Sequence, residues 1–221
     1  MKKNNTRLLV IPLILSALWS CSVLHRSYKP GDTLILQPGP KEGIDAYIEN
    51  WSGENYPNRN WGGYDAFAAS AWTAKGSELT VRCLMKFDLH KITPGTRIRK
   101  AALSLYAVST PGIGSGHSAM SGPNDFLLMK VTSPWDEYKV TWNTQPSVTD
   151  ENEVRLPGTT SELKDYENID LTAMVQEMID NPTENYGIMI RLAEESYYRR
   201  VIFGSSDNAV SRKRPKLVID F

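Results

Sequence analysis

The segment SPWDEYKVTWNTQP, residues 133–146, decides the fold because it combines two tryptophans, a β-branched run and a terminal proline. Residues 140–142 favour a strand, and Pro146 closes it because proline cannot continue a sheet ladder. Trp135 and Trp142 bury large areas when they pack, so we expect them to pack in the protein rather than to stack on a ligand. The segment therefore predicts an all-β protein.

Short strands separated by turn residues continue this pattern along the chain. Residues 81–89 alternate most clearly, with Cys83 and Met85 on a predicted core face and Arg82 and Lys86 on a face that carries charge. Further strands are predicted at residues 33–37, 46–49, 102–108, 188–192, 198–203 and 216–221.

One short amphipathic helix stands out near residues 170–180. Asp170 is a suitable N-cap, and Asn181 followed by Pro182 ends the helical pattern. We expect this helix to lie over one end or edge of the sheets. Its apolar residues at helical spacing are Leu171, Met174, Val175, Met178 and Ile179.

Two further segments are predicted to be loops. The composition of residues 112–122, GIGSGHSAMSG, indicates a mobile loop. Residues 50–72 are polar and rich in aromatic residues and glycine. Because loops of that length in a compact domain are often functional, residues 50–72 are a candidate functional segment.

The N-terminal residues have the layout of a bacterial export signal. A basic start is followed by an apolar run at residues 8–18, which is too short to span a bilayer comfortably, and then by Ser20 and Cys21. This order is similar to a lipobox, so we expect Cys21 to be lipidated. The alternative is an ordinary secretory signal with an incidental cysteine. Both alternatives export the protein.

These boundaries predict three parts of the chain. Residues 1–20 are a lipoprotein signal peptide, residues 21–30 are a tether, and residues 31–221 are one β-sandwich domain. We expect the protein at the bacterial cell envelope, anchored in a membrane by its lipid and facing the periplasm or the cell exterior.

Charge and cysteine content narrow the function further. The chain has 25 basic and 25 acidic residues, and loss of residues 1–20 removes three basic residues, which leaves a net charge of −3. A basic surplus usually accompanies nucleic-acid binding, so that partner is disfavoured. With Cys21 lipidated, Cys83 is the remaining thiol, and no intramolecular disulfide is expected.

The sequence lacks the usual catalytic motifs. Its three histidines, His25, His90 and His117, form no HExxH motif, and there is no GxSxG motif and no phosphate loop. Adjacent carboxylates such as Asp136 and Glu137 point to opposite faces of a strand, so they rarely form a catalytic pair by themselves. We therefore predict a protein that is not an enzyme and needs no cofactor.

A structural calcium ion is a weaker prediction. Asp45, Asp65, Asp207 and Asn208 supply the oxygen ligands that Ca²⁺ prefers. The alternative, which we favour from the sequence, is that these are surface turn residues that bind no metal.

Six segments of the sequence carry a family resemblance. They are DAYIEN (45–50), VRCLMKFDL (81–89), ITPGTRIRKAALSLY (92–106), WDEYKVTWNTQP (135–146), NYGIMI (185–190) and RPKLVIDF (214–221). In this order they resemble the DNRLRE domain family, also classed as carbohydrate-binding module family 96. The resemblance implies a β-sandwich of jelly-roll type that is not catalytic, with members that bind alginate or other acidic polysaccharides.

The candidate ligand contacts come from the charged strand faces. Arg82 and Lys86 project from the same face of one strand, roughly 13 Å apart at the usual rise per residue. Their side chains can meet the carboxylates of an acidic glycan, while aromatic rings pack on its sugar faces. The alternative for the basic residues is ordinary solvated charge, and for Trp61 it is a plug that anchors a loop. The predicted ligand-binding residues are Arg82, Lys86, Tyr106, Arg191, Tyr198, Arg200 and Trp61.

The sequence is therefore compatible with two functions from different classes. The first is a lipid-anchored carbohydrate-binding module that captures an acidic polysaccharide and passes it to neighbouring envelope proteins. The second is a structural or adhesion lipoprotein of the cell envelope that binds a protein partner or an envelope polymer.

Overall fold

The computed structural model describes residues 26–53 and 55–221, which form antiparallel sheets and one α-helix. The predicted all-β sandwich with one short helix is confirmed. The predicted signal peptide and Cys21 lie outside the described residues. The strands are β1 Thr33–Leu36, β2 Ile44–Trp51, β3 Trp61–Gly62, β4 Ala66–Ala74, β5 Ser77–Lys86, β6 Lys100–Leu105, β7 Ser118–Ala119, β8 Phe126–Val131, β9 Val148–Leu156, β10 Tyr166–Asp170, β11 Ile188–Leu192, β12 Arg199–Gly204 and β13 Lys216–Asp220; the helix is α1 Thr172–Asp180.

The strands are arranged in two sheets. The smaller has the order β1-β13-β6-β10, and the larger has the order β7-β12-β4-β5-β11-β8-β9, with β2 paired to β5 and β3 paired to β2. Strand β5 pairs with three strands: with β2 along residues 79–86, and on its other side with β4 along residues 77–81 and with β11 along residues 83–85. Across the described residues, no helix is long and apolar enough to span a membrane.

The main core contains the predicted inner face of β5. Cys83 and Met85 are buried in a cluster that also holds the rings of Phe126, Tyr166 and Phe203. The Phe126 and Tyr166 rings meet edge to face at 4.9 Å, a geometry that aromatic pairs prefer. The alternation in residues 81–89 therefore predicted the inner face correctly.

The outer face of β5 is less polar than the sequence suggested. Leu84, between Arg82 and Lys86, is fully buried in a second, smaller cluster. That cluster includes Ile48 from β2 and Met189 from β11. The prediction of a charged face was wrong at this position, because the segment of residues 133–146 folds back over the sheet and covers it.

The same segment corrects the strand predicted at residues 140–142. Asp136 accepts hydrogen bonds on its carbonyl from the backbone N–H groups of Lys139 and Val140, which forms a turn. Thr141 then caps a 3-10 helix, Trp142–Thr144, through a reciprocal capping box with Thr144. Local hydrogen bonds of this kind compete with strand pairing, and here they override the β-propensity of residues 140–142.

Both tryptophans of this segment pack as the sequence suggested. Trp142 is partly buried against the smaller cluster, as is Trp135. The indole N–H of Trp135 donates to the carbonyl of Tyr186 at 2.7 Å. Together they fix the segment to the sheet below it.

Helix α1 follows its prediction except at the first turn. Its N-cap is Leu171 rather than Asp170, because β10 extends through Asp170. The Asp170 carboxylate still accepts hydrogen bonds from the backbone N–H and the hydroxyl of Thr172, at 2.9 and 2.6 Å. The buried residues Met174, Val175, Met178 and Ile179 face the core.

The two predicted loops are more ordered than their composition suggested. Residues 50–72 contain β3 and most of β4, whose alanine-rich sequence AFAASAWTA has little intrinsic β-propensity and so gave no strand signal. Residues 112–122 contain β7, which pairs with β12, and the buried His117. Neither segment is a long free loop.

His117 predicts an acid-sensitive contribution to stability. Its Nδ1 accepts the Ile202 N–H at 2.9 Å, and its Nε2 donates to the Lys164 carbonyl at 2.8 Å, so the ring is held neutral. Burial lowers the pKa of the His117 imidazole. The stability from neutral His117 is thus present above its unfolded pKa of about 6.5 and is lost as pH falls toward the folded pKa. We expect the unfolding temperatures of the protein and His117→Gln to differ most at pH 7.5 and to converge toward pH 5.

The matched control is His90→Gln. His90 is exposed and pairs with Asp88, so its removal leaves the buried imidazole in place. Thermal unfolding followed by circular dichroism measures both variants. Parallel curves for the protein and His117→Gln across this pH range would contradict the prediction.

Candidate functional site

The predicted site residues do not form one groove. Arg82 and Arg191, on the neighbouring strands β5 and β11, converge on Glu195. The Arg82 guanidinium makes a bidentate pair with that carboxylate at 2.8 and 2.9 Å and also donates to Gln145 Oε1 at 2.8 Å. It also lies 4.7 Å from the centroid of the Trp142 ring. With its side chain only 18% exposed, Arg82 ties surrounding segments to the sheet.

Arg200 and Tyr198 lie at a separate place beside Trp72. The Arg200 guanidinium is 4.5 Å from the Trp72 ring centroid and donates to the carbonyls of Gly116 and Ile113 at 2.9 and 3.0 Å. Tyr198 is exposed and meets Trp72 edge to face. Arg200 therefore holds the glycine-rich segment 112–122 against the sheet.

The two remaining predicted aromatics have other neighbours. Trp61 is partly buried and stacks on Tyr47 with a centroid distance of 5.2 Å. Tyr106 lies beneath the ammonium of Lys216, which is 5.8 Å from its ring centroid. The position of Trp61 favours the alternative of a loop-anchoring plug.

The side chain of Lys86 lines a groove that is formed by three separate parts of the chain. One wall is residues 35–44, which link β1 to β2. A second wall is the end of β5 and the residues after it, with Lys86, Asp88 and Lys91, and the third is the turn with Glu137 and Tyr138. The volume of this cavity, which we name the Lys86 groove, is about 810 Å³.

The side chains of the Lys86 groove combine cations with exposed apolar surface. Lys41, Lys86 and Lys91 form no ion pair with any residue that the structure describes, whereas Asp88 is bound to His90. Tyr138 and Ile35 are each 62% exposed, so both offer apolar surface to a ligand. Glu42 also lines the groove, so three ammonium groups and one carboxylate that is unengaged within the described residues stand beside an exposed aromatic ring. The excess of ammonium groups over unengaged carboxylates makes this a suitable surface for an anionic ligand with apolar faces.

Three carboxylates meet at the inner side of this groove. Oxygen atoms of Asp45, Glu137 and Asp207 lie within 4.8 Å of one another. The Asp45 N–H donates to Glu137 Oε1 at 3.2 Å, and the Ser206 N–H donates to Asp45 Oδ2 at 2.9 Å. Burial raises the pKa of the Asp45 carboxyl to about 6, and burial also raises the pKa values of Glu137 and Asp207.

The grouping differs from the oxygen ligands that the sequence suggested. Asp45 and Asp207 are in it, but Glu137 takes the place of Asp65 and Asn208. The Asn208 amide instead donates to the backbone carbonyl of Asp65 at 2.8 Å, which closes a turn.

Two other cavities lie beside α1. The smaller, of about 240 Å³, is lined by Lys130, whose ammonium is already paired with Glu177. The larger, of about 660 Å³, has no aromatic residue in its lining. The Lys86 groove is the largest of the three and the one that presents both unpaired cations and an exposed aromatic ring.

Comparison with known families identifies the β-domain from residue 41 onward. The model of carbohydrate-binding module family 96 matches residues 41–221. The protein belongs to this family. The family resemblance of the six sequence segments is thereby confirmed. No curated protein matches the sequence.

As a carbohydrate-binding module, the protein requires a surface that sugars can reach. Among the predicted ligand contacts, Lys86 faces such a surface, the Lys86 groove. Arg82 does not, because its guanidinium is bound to Glu195 and packs on Trp142. The groove is also lined by Tyr138, Lys41 and Lys91, which were not among the predicted contacts because they come from segments without strand alternation.

The different surroundings of Arg82 and Lys86 predict different effects on stability of this family 96 module. Arg82→Ala removes a bidentate ion pair and leaves partly buried Glu195 with the weaker 3.6 Å contact to Arg191. We expect it to lower the free energy of unfolding by roughly 1–3 kcal/mol. Lys86→Ala removes no ion pair, so we expect a change within about 0.5 kcal/mol.

Urea unfolding at pH 7 measures both variants. Arg82→Lys is the matched control, because it keeps the charge but lacks the planar fork that binds Glu195 twice, and it should fall between the other two. Equal losses in Arg82→Ala and Lys86→Ala would contradict the assignment of Arg82 to a structural role.

Proposed function

We propose that this carbohydrate-binding module captures an acidic polysaccharide, such as alginate, in the Lys86 groove. The observation that carries the proposal is the trio of lysines, Lys41, Lys86 and Lys91, beside the exposed ring of Tyr138. Family 96 membership supports a carbohydrate ligand, and the lysines supply the argument for an acidic one.

The chemistry of a uronic acid polymer fits this surface. Its carboxylates recur along the chain, and ammonium groups on separate walls can each meet one through a charge-assisted hydrogen bond. Its sugar rings also have C–H faces that pack on an aromatic ring such as Tyr138. The groove volume of about 810 Å³ lies within the range common for ligand sites.

We further propose that the groove binds its polymer without cleaving it. Of the three acids that line the groove, Glu137 accepts the Asp45 N–H and Asp88 is bound to His90, which leaves Glu42 without a second free acid to form a catalytic pair. Incubation with alginate should release no new reducing ends.

Lys86→Ala and Tyr138→Ala are expected to weaken retention by alginate. Each removes one of the two features that the proposal needs, the ammonium or the aromatic ring. Affinity electrophoresis of residues 26–221 in gels with alginate measures the effect; these residues include the Tyr28–Phe221 ring stack at 4.1 Å. We expect weaker retardation for both variants and for the unchanged domain at higher salt.

Lys100→Ala is the matched control. Lys100 is exposed on β6 and does not line the groove, so its removal changes net charge by the same amount. Gels with pectin, heparin and a neutral glucan test the class of polymer. Unchanged mobility in every gel would refute binding of these polymers and favour the alternative, a structural or adhesion lipoprotein with a protein partner.

We also propose that lipid on Cys21 tethers the module to the bacterial cell envelope. The support is the order of basic residues, apolar run and cysteine at the N-terminus. Such an anchor would hold the groove near other envelope proteins that receive the captured polymer.

Cys21→Ser tests the anchor. Without the thiol no lipid can be attached, so we expect the variant to move from the membrane fraction to the soluble fraction. Cys83→Ser is the matched control, because Cys83 is buried in the core and is not available for lipid. Retention of Cys21→Ser in the membrane fraction would refute the lipid anchor.

A further inference from the structure

We propose that Asp45, Glu137 and Asp207, with the hydroxyl of Ser206, form a binding site for a divalent cation, with Ca²⁺ preferred. The site lies at the inner side of the Lys86 groove and shares Glu137 with its lining.

The geometry gathers carboxylates from three distant parts of the sequence. Asp45 stands near the start of β2, Glu137 belongs to the turn before Val140, and Asp207 follows β12. Their ligand oxygens lie within 4.8 Å of one another. Oxygens bound to a single Ca²⁺ at about 2.3–2.6 Å are at most about 5.2 Å apart. The three groups can therefore converge on one ion with small adjustments of their side chains.

A buried, unpartnered hydroxyl supports the site independently of the carboxylates. Ser206 is 2% exposed, and its Oγ has no hydrogen-bond partner of good geometry within the described residues. That hydroxyl lies beside the Asp45 carboxyl, close enough to lower its pKa. A buried hydroxyl without a partner is costly, and a cation bound beside Asp45 would give this oxygen a partner.

Gly43 makes room for this hydroxyl. A Cβ at position 43 would collide with the Oγ and Cβ of Ser206. The backbone two residues before Asp45 thus approaches Ser206 as closely as a glycine permits, and the hydroxyl stays beside the carboxylates.

The unbalanced charge also favours a cation. The negative charges of Asp207 and Glu137 repel that of the Asp45 carboxylate. Those of Asp207 and Asp136 repel that of the Glu137 carboxylate. Arg214 offsets part of the charge of Asp207, and its own Nε–H donates to the Asn208 carbonyl. Asp207 Oδ2 is buried and accepts no hydrogen bond within the described residues. A divalent ion would engage all three carboxylates at once.

The donor set points to calcium among the common cations. The cluster offers carboxylate and hydroxyl oxygens, and it contains no histidine or cysteine, the ligands that zinc and the softer metals favour. Ca²⁺ accepts six to eight oxygens in flexible geometry, whereas Mg²⁺ requires a near-ideal octahedron and keeps several waters.

Terbium luminescence and thermal unfolding test the site on the purified full chain, without any glycan. Tb³⁺ replaces Ca²⁺ at oxygen sites, and Tyr138, adjacent to Glu137, is placed to sensitise it. We expect saturable Tb³⁺ emission that excess Ca²⁺ removes and excess Mg²⁺ does not. We also expect Ca²⁺ to raise the unfolding temperature above that in EDTA, because an ion bound to the folded state stabilises it.

Two variants at the site and one outside it complete the test. Asp45→Asn and Glu137→Gln should each weaken Ca²⁺ binding by at least about tenfold, whereas Glu151→Gln, exposed on β9, should bind as the unchanged protein does. Glu137 is only partly buried, so its variant remains informative if Asp45→Asn does not fold.

Absence of displaceable Tb³⁺ emission and of a Ca²⁺-dependent shift would overturn the cation site. Unchanged Ca²⁺ binding in a folded Glu137→Gln protein would do the same. Since neither measurement contains polysaccharide, these outcomes are independent of whether the Lys86 groove binds alginate.

Discussion

The ladder between β2 and β5 is the constraint on which the groove depends. It runs without a bulge through eight residue pairs, from Ile44 opposite Lys86 to Trp51 opposite Leu79. This register sets Asp45 opposite Met85, so the acidic cluster and the groove lysine come to the same end of the sheet. A slip by one residue would turn the side chains of β2 to the opposite face and separate the two features.

The fold and the site differ in how much of them the sequence could predict. The inner face of the strand around Cys83 and the apolar spacing of α1 are local patterns produced by burial, and both were predicted correctly. Strand β4 was missed because alanine packs well in a close space between strands but has weak propensity of its own. The groove joins residues 35–44, Lys86 and Tyr138, whose proximity depends on the three-dimensional path of the chain. Lys86 was predicted from its strand, and Tyr138 had no periodic signal.

The chemistry of arginine and lysine explains why the predicted basic residues separate into two roles. Arg82 offers a planar fork that fits the Glu195 carboxylate, and Arg200 binds two backbone carbonyls, so both are used to join segments of the chain. Lys86 ends in a compact, strongly hydrated charge on a flexible stem, which suits a partly exposed groove wall better than a buried junction. A pattern of basic residues on one strand face therefore predicts positive charge, but the residue type and its neighbours decide whether that charge is available to a ligand.

The acidic cluster adds a cost that the fold alone does not explain. Asp45 is 4% exposed, and its pKa of about 6 means that its charge is disfavoured there, so at neutral pH the ionised group reduces stability. A core position selected for packing would hold an apolar residue or a paired acid. Retained, mutually repelling carboxylates beside a cavity are instead characteristic of sites that engage a ligand. Glu137 belongs to both the cluster and the groove. A cation bound by the carboxylates would therefore change the charge of the groove wall that contains Glu137.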